Sequence, residues 1–168
     1  KLCLQQAESM GDRSSVVLAQ YELGEDYFSL RDYAASWNHI RWAWEQGADA
    51  IVPALRSRIL RRYANLLQMR GHAGEANDVM AEALALHHNQ FNPVDVVEDL
   101  AMSMHIAIMQ GRDDDAEKQG HKALEVIEAQ YETLESERLG PSWSDRVHEI
   151  YVELAQHYLD RYSRTGAE

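Results

Sequence analysis

The sequence of 168 residues predicts an all-α fold in which antiparallel helix pairs stack into a solenoid. Landmark residues recur at one spacing, because 93 − 53 = 40 for Pro53 and Pro93 and 111 − 71 = 40 for Gly71 and Gly111. Each proline opens, and each glycine ends, a segment whose apolar residues recur every three or four positions, as on one face of a helix. Alanines at the same spacing are Ala76 with Ala116 and Ala83 with Ala123. A period of this length indicates a repeat of helical hairpins.

The composition narrows the classes of protein. A hydrophobic content of 45% with three prolines and nine glycines predicts one folded domain spanning residues 1–168. The net charge of −12 argues against direct nucleic-acid binding, and no apolar run reaches the roughly 20 residues that span a bilayer. Cys3 is the single cysteine, so we expect a reducing compartment, the cytoplasm. Because the chain begins at Lys1, we expect it to be a fragment or a processed product.

The first part of the chain predicts a lead-in helix at residues 1–10 and a first unit at about 14–52. Its helices at about 15–29 and 32–47 show helical spacing of apolar residues. These are Val17, Tyr21, Gly24 and Phe28 on the first helix and Tyr33, Trp37, Ile40 and Trp44 on the second. Asp32 is placed to cap the second helix.

The later elements follow in the same order. The second unit, at about 53–92, pairs helices at 53–70 and 73–88, and the third, at about 93–136, pairs helices at 93–110 and 113–136. Asn92 and Asp113 are expected to cap helices of the third unit. The segment 136–142, with Gly140 and Pro141, predicts a break, after which a capping helix occupies about 143–163.

These units resemble the tetratricopeptide repeat, which pairs two helices through a Leu-Gly step, an aromatic residue and two small residues. In the first unit, the matching residues are Leu23, Gly24, Tyr27, Tyr33, Ser36, Ile40 and Ala43. In the third unit Ser103 and Met104 replace the Leu-Gly step. The 40-residue unit is longer than the family's 34 and is similar to the extended repeats of bacterial signalling regulators. The resemblance implies a right-handed α-α superhelix.

The resemblance also implies that the first helix of each unit lines a concave groove that receives an extended peptide. The predicted groove residues are Tyr21, Glu25, Phe28, Arg58, Arg61, Asn65, Gln68 and His105. Arginine pairs with carboxylates and asparagine satisfies a peptide amide, so this set suits an extended chain. The alternative is that the arginines pair with acidic residues of adjacent helices. Tyr21 and Glu25 stand where the family's chaperone-tail binders carry lysine and asparagine, which disfavours that specific function.

The sequence contains no phosphate loop, nucleophile elbow or metal-ligand spacing, so we expect no enzymatic activity, cofactor or metal. The leading hypothesis is a protein- or peptide-binding sensor module of a larger bacterial regulator. A second is a scaffold for homo-oligomerisation, such as a homodimer, in which the last helix and Trp42, off the packing phase of its helix, form the interface. A third is a small-molecule site between helices.

Overall fold

The computed structural model describes residues 2–47, 50–87, 92–132 and 140–166. Over these ranges the chain is all-α, as predicted, and contains no β-strand. The helices are α1 Leu2–Met10, α2 Arg13–Ser29, α3 Tyr33–Gly47, α4 Pro53–Met69, α5 Ala73–Ala85, α6 Pro93–Met109, α7 Asp113–Glu132 and α8 Gly140–Thr165. They form two compact units, residues 1–88 and residues 89–168. From here on, these are the first unit and the second unit, and the repeats of the sequence are called hairpins.

Most predicted helices lie within three residues of those observed, and one boundary differs in kind. The helix α8 begins at Gly140, so the predicted break at 136–142 is wrong for residues 140–142. Its physical reason is that Pro141 lies in the first turn of α8, where the missing backbone N–H costs no intrahelical hydrogen bond. The predicted end of the seventh helix at residue 136 lies outside the described residues, as do residues 133–139 generally.

Three helical hairpins, α2–α3, α4–α5 and α6–α7, share one turn. The backbone N–H of Asp32 donates to the carbonyl of Tyr27, His72 to Leu67, and Arg112 to Ala107, each at 2.9 Å. Before each of these donors, one residue has a positive φ, namely Arg31 at 61°, Gly71 at 81° and Gly111 at 67°. These are the hydrogen bonds of a Schellman turn, and they recur at the 40-residue period.

Side chains cap two of the helices as the sequence predicts. The Asn92 side chain accepts a hydrogen bond from the backbone N–H of Val94 at 3.0 Å, and Asp32 accepts one from Ala35 at 3.0 Å. Asp113 is instead the first residue of α7, and its carboxylate accepts from Arg164 on α8 at 3.0 Å. Asp12, which we did not predict, caps α2 by accepting from Ser14.

In the first unit, α3 packs against both α2 and α4, and α4 pairs with α5. Its buried side chains include Val17, Ile40, Ile59, Leu60 and Met80. A close approach within a hairpin lies at Gly24, where an added Cβ would stand 2.4 Å from Cδ1 of Ile40. The helices α2 and α3 therefore leave no room for a side chain at this position.

In the second unit, α6 and α7 form a hairpin and α8 packs against both. Its buried side chains include Val97, Leu100, Met104, Ile127 and Ile150. The close approach lies at Gly120 on α7, where an added Cβ would stand 2.9 Å from both Sδ of Met104 and Cδ1 of Leu154.

The close approaches in the two units lie at equivalent positions of the repeat, but the glycine and the large residue are exchanged between the two helices of the hairpin. Gly24 faces Ile40, and the residues 80 positions later, Met104 and Gly120, face each other with the small residue on the opposite helix. The intermediate pair, Ala64 and Met80, is buried. In the third hairpin, which lacks the Leu-Gly step, a glycine on the opposite helix therefore compensates for Met104.

Among the described helices, none combines the length and hydrophobicity needed to cross a bilayer.

Candidate binding face of the first unit

Side chains of α2 and α4, the first helices of successive hairpins, meet through a bidentate ion pair. Arg62 donates from Nε and Nη2 to the two carboxylate oxygens of Glu25, at 2.5 and 2.7 Å. Both side chains are about three-quarters buried, since 24% and 27% of their surfaces remain exposed. Two parallel charge-assisted hydrogen bonds fix both the distance and the orientation of the guanidinium. This pair therefore holds the exposed sides of α2 and α4 in one register.

An aromatic ring supports the same guanidinium. The Cζ atom of Arg62 lies 3.8 Å from the centroid of the Phe28 ring, one helical turn beyond Glu25 on α2. A cation over an aromatic face is stabilised by the ring quadrupole, and stacking restricts the rotamers of both groups. Phe28 also packs edge-on against Tyr33 at 5.3 Å. Phe28 is therefore in contact with both the Arg62 guanidinium and the Tyr33 ring.

Tyr21 lies one turn before Glu25 and packs on the core cluster of Val17, Ala43 and Ile59. Burial, reinforced by the charge of Glu25, raises the pKa of the Tyr21 phenol to about 12, although Arg61 and Arg62 oppose the shift. The phenol is therefore a neutral hydrogen-bonding group at physiological pH, set among charged neighbours.

We call this surface the α2–α4 face. Its members are Tyr21, Glu25, Phe28, Arg58, Arg61, Arg62, Asn65 and Gln68. Arg58 is exposed, and Arg61, Asn65 and Gln68 are half-buried. The Oε1 atom of Gln68 is buried with no hydrogen-bond partner among the described residues. Seven of the eight predicted groove residues thus lie on two helices of one unit, and the direct contacts join Glu25 and Phe28 to Arg62.

Arg62 was missing from the predicted groove. A signal for it exists in the sequence, because the separation of Glu25 and Arg62, 62 − 25 = 37, is one period less three residues. Opposite charges at that separation face each other when the first helices of successive hairpins lie side by side.

The arginine at the start of α4 belongs to the helix packing. Arg56 donates to the backbone carbonyl of Trp44 at 2.6 Å and forms an ion pair with Glu82 on α5 at 2.8 Å. Together with the Glu25–Arg62 pair, this contact shows that two arginines of the cluster bind acidic residues of other helices. The alternative interpretation of the arginine cluster therefore describes Arg56 and Arg62.

The predicted interface residue Trp42 is half-buried and packs against the cluster of Val17, Ala43 and Ile59. Our expectation that it lies off the packing phase is wrong, because the curved surface of α3 contacts both α2 and α4 and buries a wider stripe of side chains. Its role in an interface stays a prediction.

His105, the eighth predicted groove residue, lies in the second unit on α6. Its Nδ1 atom is 2.6 Å from Oε1 of Glu153 on α8. This hydrogen bond raises the pKa of His105 above its usual value, with the charge of Glu153 adding to the effect and burial opposing it. A second ion pair joins the same helices, from Arg146 on α8 to Glu98 on α6 at 2.9 Å.

The acidic start of α7 binds basic residues of α8. Arg161 contacts Asp114 at 3.1 Å and also pairs with Glu117, and Arg164 pairs with Asp113 at 3.0 Å. The described residues contain no group of three side chains able to hold a metal ion. A cavity of about 460 Å³ lies beside these residues. The charged side chains that line it pair with neighbouring residues of α7 and α8.

Comparison with known proteins gives no family: no family model matches the chain, and no curated protein matches it. The geometry of the α2–α4 face is therefore the starting point for function.

Proposed function

We propose that this chain is a non-catalytic binding module of the tetratricopeptide type, and that its α2–α4 face binds an extended peptide carrying a carboxylate. The observation that carries the proposal is the charge of this face. Three arginines, Arg58, Arg61 and Arg62, lie within five residues of α4, in a chain whose net charge is −12. A concentration of arginines on an acidic protein is a place where an acidic ligand can bind.

The chemistry of the face suits a peptide. The charge of Arg61 acts on the Tyr21 phenol, so a positive group and a neutral hydrogen-bonding group lie near each other on this face. Asn65, one turn further along α4, offers a donor and an acceptor that match a peptide amide. Phe28 offers an apolar surface whose position is fixed by Arg62. Because Glu25 holds Arg62, we assign Arg62 a positioning role. The ligand contacts proposed for Arg58 and Arg61 follow the predicted groove.

Two regularities support the solenoid part of the proposal. The first is the common turn of the three hairpins. The second is the register of first helices: Glu25 contacts Arg62 in the first unit, and His105, 80 residues after Glu25, contacts Glu153 in the second. Equivalent repeat positions therefore make equivalent contacts, from α2 to α4 in the first unit and from α6 to α8 in the second. A continuous right-handed stack of all the hairpins remains part of the proposal.

The wider role follows from the resemblance. We propose that the module serves as the sensor or interaction segment of a larger bacterial regulator in the cytoplasm, with a protein or peptide partner. The charge of −12 disfavours a nucleic-acid partner.

Binding of short peptides rich in Asp and Glu, measured by fluorescence anisotropy, tests the proposal. Arg61→Ala and Asn65→Ala should each weaken binding about tenfold, which corresponds to a loss of roughly 1.4 kcal/mol of binding free energy. The same peptides with Asn and Gln in place of Asp and Glu should bind weakly to the unaltered protein.

Arg41→Ala is the matched control, because Arg41 lies on α3 and pairs with Glu45 one turn away. It removes the same charge from the molecule and should leave peptide affinity unchanged. Equal affinities for the unaltered protein, Arg61→Ala and Asn65→Ala would remove the α2–α4 face from consideration.

A further inference from the structure

The last helix, α8, carries two apolar faces. One face is buried in the second unit and includes Val147, Ile150 and Leu154. A second set of residues lies about a third of a turn round the helix, and we call it the outer stripe. Its members are His148, Tyr151, Val152, Ala155, Tyr158, Leu159 and Tyr162.

The outer stripe is exposed along its whole length. Leu159 and Tyr162 retain 63% and 65% of their surface, and Tyr151, Val152 and Tyr158 are also exposed. The Tyr158 hydroxyl in addition lies 2.8 Å from Nε2 of His121 on α7. With Ala155 between them, these five large side chains follow one another at steps of three and four and form one contiguous surface on a helix. Contiguous exposed apolar surface of this kind is typical of protein contact sites.

None of the seven residues is Asp, Glu, Lys or Arg, although 26% of the chain is charged. This matters for the identity of the partner. A basic partner would be recognised by carboxylates, which the stripe lacks. Two copies of a molecule with a charge of −12 repel one another, and they approach at least cost where the surface is uncharged. The uncharged stripe therefore allows a second copy of this chain to bind without placing like charges against each other in the contact.

Comparison of α8 with α6 shows what kind of contact the stripe would make. The buried residues of α6 and α8 align at one offset, because Leu100 matches Ile150 and Met104 matches Leu154 at a separation of 50. At that offset, His105 and Glu98, through which α6 contacts α8, match Ala155 and His148. The outer stripe is thus the side of α8 that corresponds to the side of α6 covered by a helix. A helix is the expected occupant.

The order of residues along the stripe suits an antiparallel pair. Ala155 is the one small residue, and large residues stand three and four positions away on both sides. With a two-fold axis at Ala155, Tyr151 would face Leu159 of the second copy, and Val152 would face Tyr158. Antiparallel helices also have opposed macrodipoles. We propose that two copies of this chain associate through the outer stripes of α8, antiparallel, with Ala155 on the two-fold axis.

Sedimentation equilibrium of the full chain tests the association. The unaltered chain should form a dimer as concentration rises, and Leu159→Glu should weaken dimerisation at least tenfold because it places two charges in the contact. Leu30→Glu is the matched control, since Leu30 is 75% exposed in the turn after α2. Helical content by circular dichroism should be the same in all three. A monomer at every concentration, or a dimer insensitive to Leu159→Glu, would overturn the proposal.

Disulfide trapping tests the geometry, in a Cys3→Ser background so that the introduced thiol is the only one. Ala155→Cys should cross-link two copies under mild oxidation, because the axis brings the two residues together. Tyr162→Cys should not, because its antiparallel neighbour is His148. Cross-linking at Tyr162→Cys, or none at Ala155→Cys, would contradict the antiparallel arrangement.

Discussion

A single residue, Arg31, carries the backbone conformation that glycine supplies in the other two hairpins. Its φ of 61° is in the left-handed region, where a Cβ is disfavoured, and Gly71 and Gly111 occupy the equivalent positions. The period gives the position of this turn from the sequence, since 71 − 31 = 40. The arginine at this position gives no indication that the turn has the same conformation as the other two. It has that conformation because the same backbone hydrogen bonds form in all three hairpins.

Arg31→Gly should stabilise the protein. Glycine relieves the left-handed strain, and the expected gain is about 0.5–1 kcal/mol in the free energy of unfolding, after the entropy of the unfolded chain is counted. Urea unfolding followed by tryptophan fluorescence measures it, since Trp37, Trp42 and Trp44 lie in the first unit. The reverse change, Gly71→Arg, should destabilise. A loss of stability in Arg31→Gly would show that its side chain makes a contact worth more than the strain.

His105 gives the second unit a pH dependence of defined sign. The Glu153 carboxylate raises the pKa of His105 in the folded state above the unfolded value of about 6.5. The contact therefore stabilises fully below about pH 6.5 and weakens as pH rises through the folded-state pKa. The difference in unfolding free energy between the unaltered protein and Glu153→Gln should shrink over that interval. Glu125→Gln, an exposed position on α7, should show no such trend; the same trend in both would refute the assignment.

At the scale of helices, periodicity predicted the element starts well where proline and glycine carry the signal, at α4, α6 and the turn before α7. It failed at Gly140, because the same residues that end a helix also suit the first turn of the next one. Matching repeat positions predicts which face of the first helices forms a groove, and this assignment stays a prediction. The partner of each arginine could not be predicted, because Arg56, Arg61 and Arg62 share one helix and only the packing decides which neighbour each one meets.

The contact between α2 and α3 predicts a non-additive pair of substitutions. Gly24→Ala gains about 1 kcal/mol of helix propensity but forces its methyl against Ile40, so we expect a net loss on the order of 1 kcal/mol. Ile40→Val removes Cδ1, the nearest atom, but keeps Cγ1, which stands 2.6 Å from the added Cβ, so it relieves only part of the clash. Alone it should cost about 1 kcal/mol. The double variant should lose less than the sum, as measured by urea unfolding.

Gly74→Ala is the control for helix propensity, since Gly74 lies on α5 and an added Cβ meets nothing within 4 Å. It should leave stability unchanged or raise it. Strict additivity of Gly24→Ala and Ile40→Val would mean that the two helices adjust their separation without cost.

At the scale of the molecule, α2 and α4, the first helices of two successive hairpins, meet through Glu25 and Arg62. The sequence predicted the hairpins and their period, whereas the assignment of seven of their residues to a groove stays a prediction. The sequence could not predict the two compact units, because local periodicity is the same on both sides of residue 88. Nor could it identify the outer stripe of α8, since a helix with apolar residues on two faces gives no clear signal of which one is buried.

The most direct test of this account is a double-mutant cycle on Glu25 and Arg62, with the free energy of unfolding measured for the unaltered protein, Glu25→Ala, Arg62→Ala and the double variant. A bidentate pair between α2 and α4 that is about three-quarters buried predicts a coupling energy of about 1 kcal/mol. Additivity within about 0.3 kcal/mol would show that these helices do not meet there, and it would contradict both the repeat register and the face built upon it.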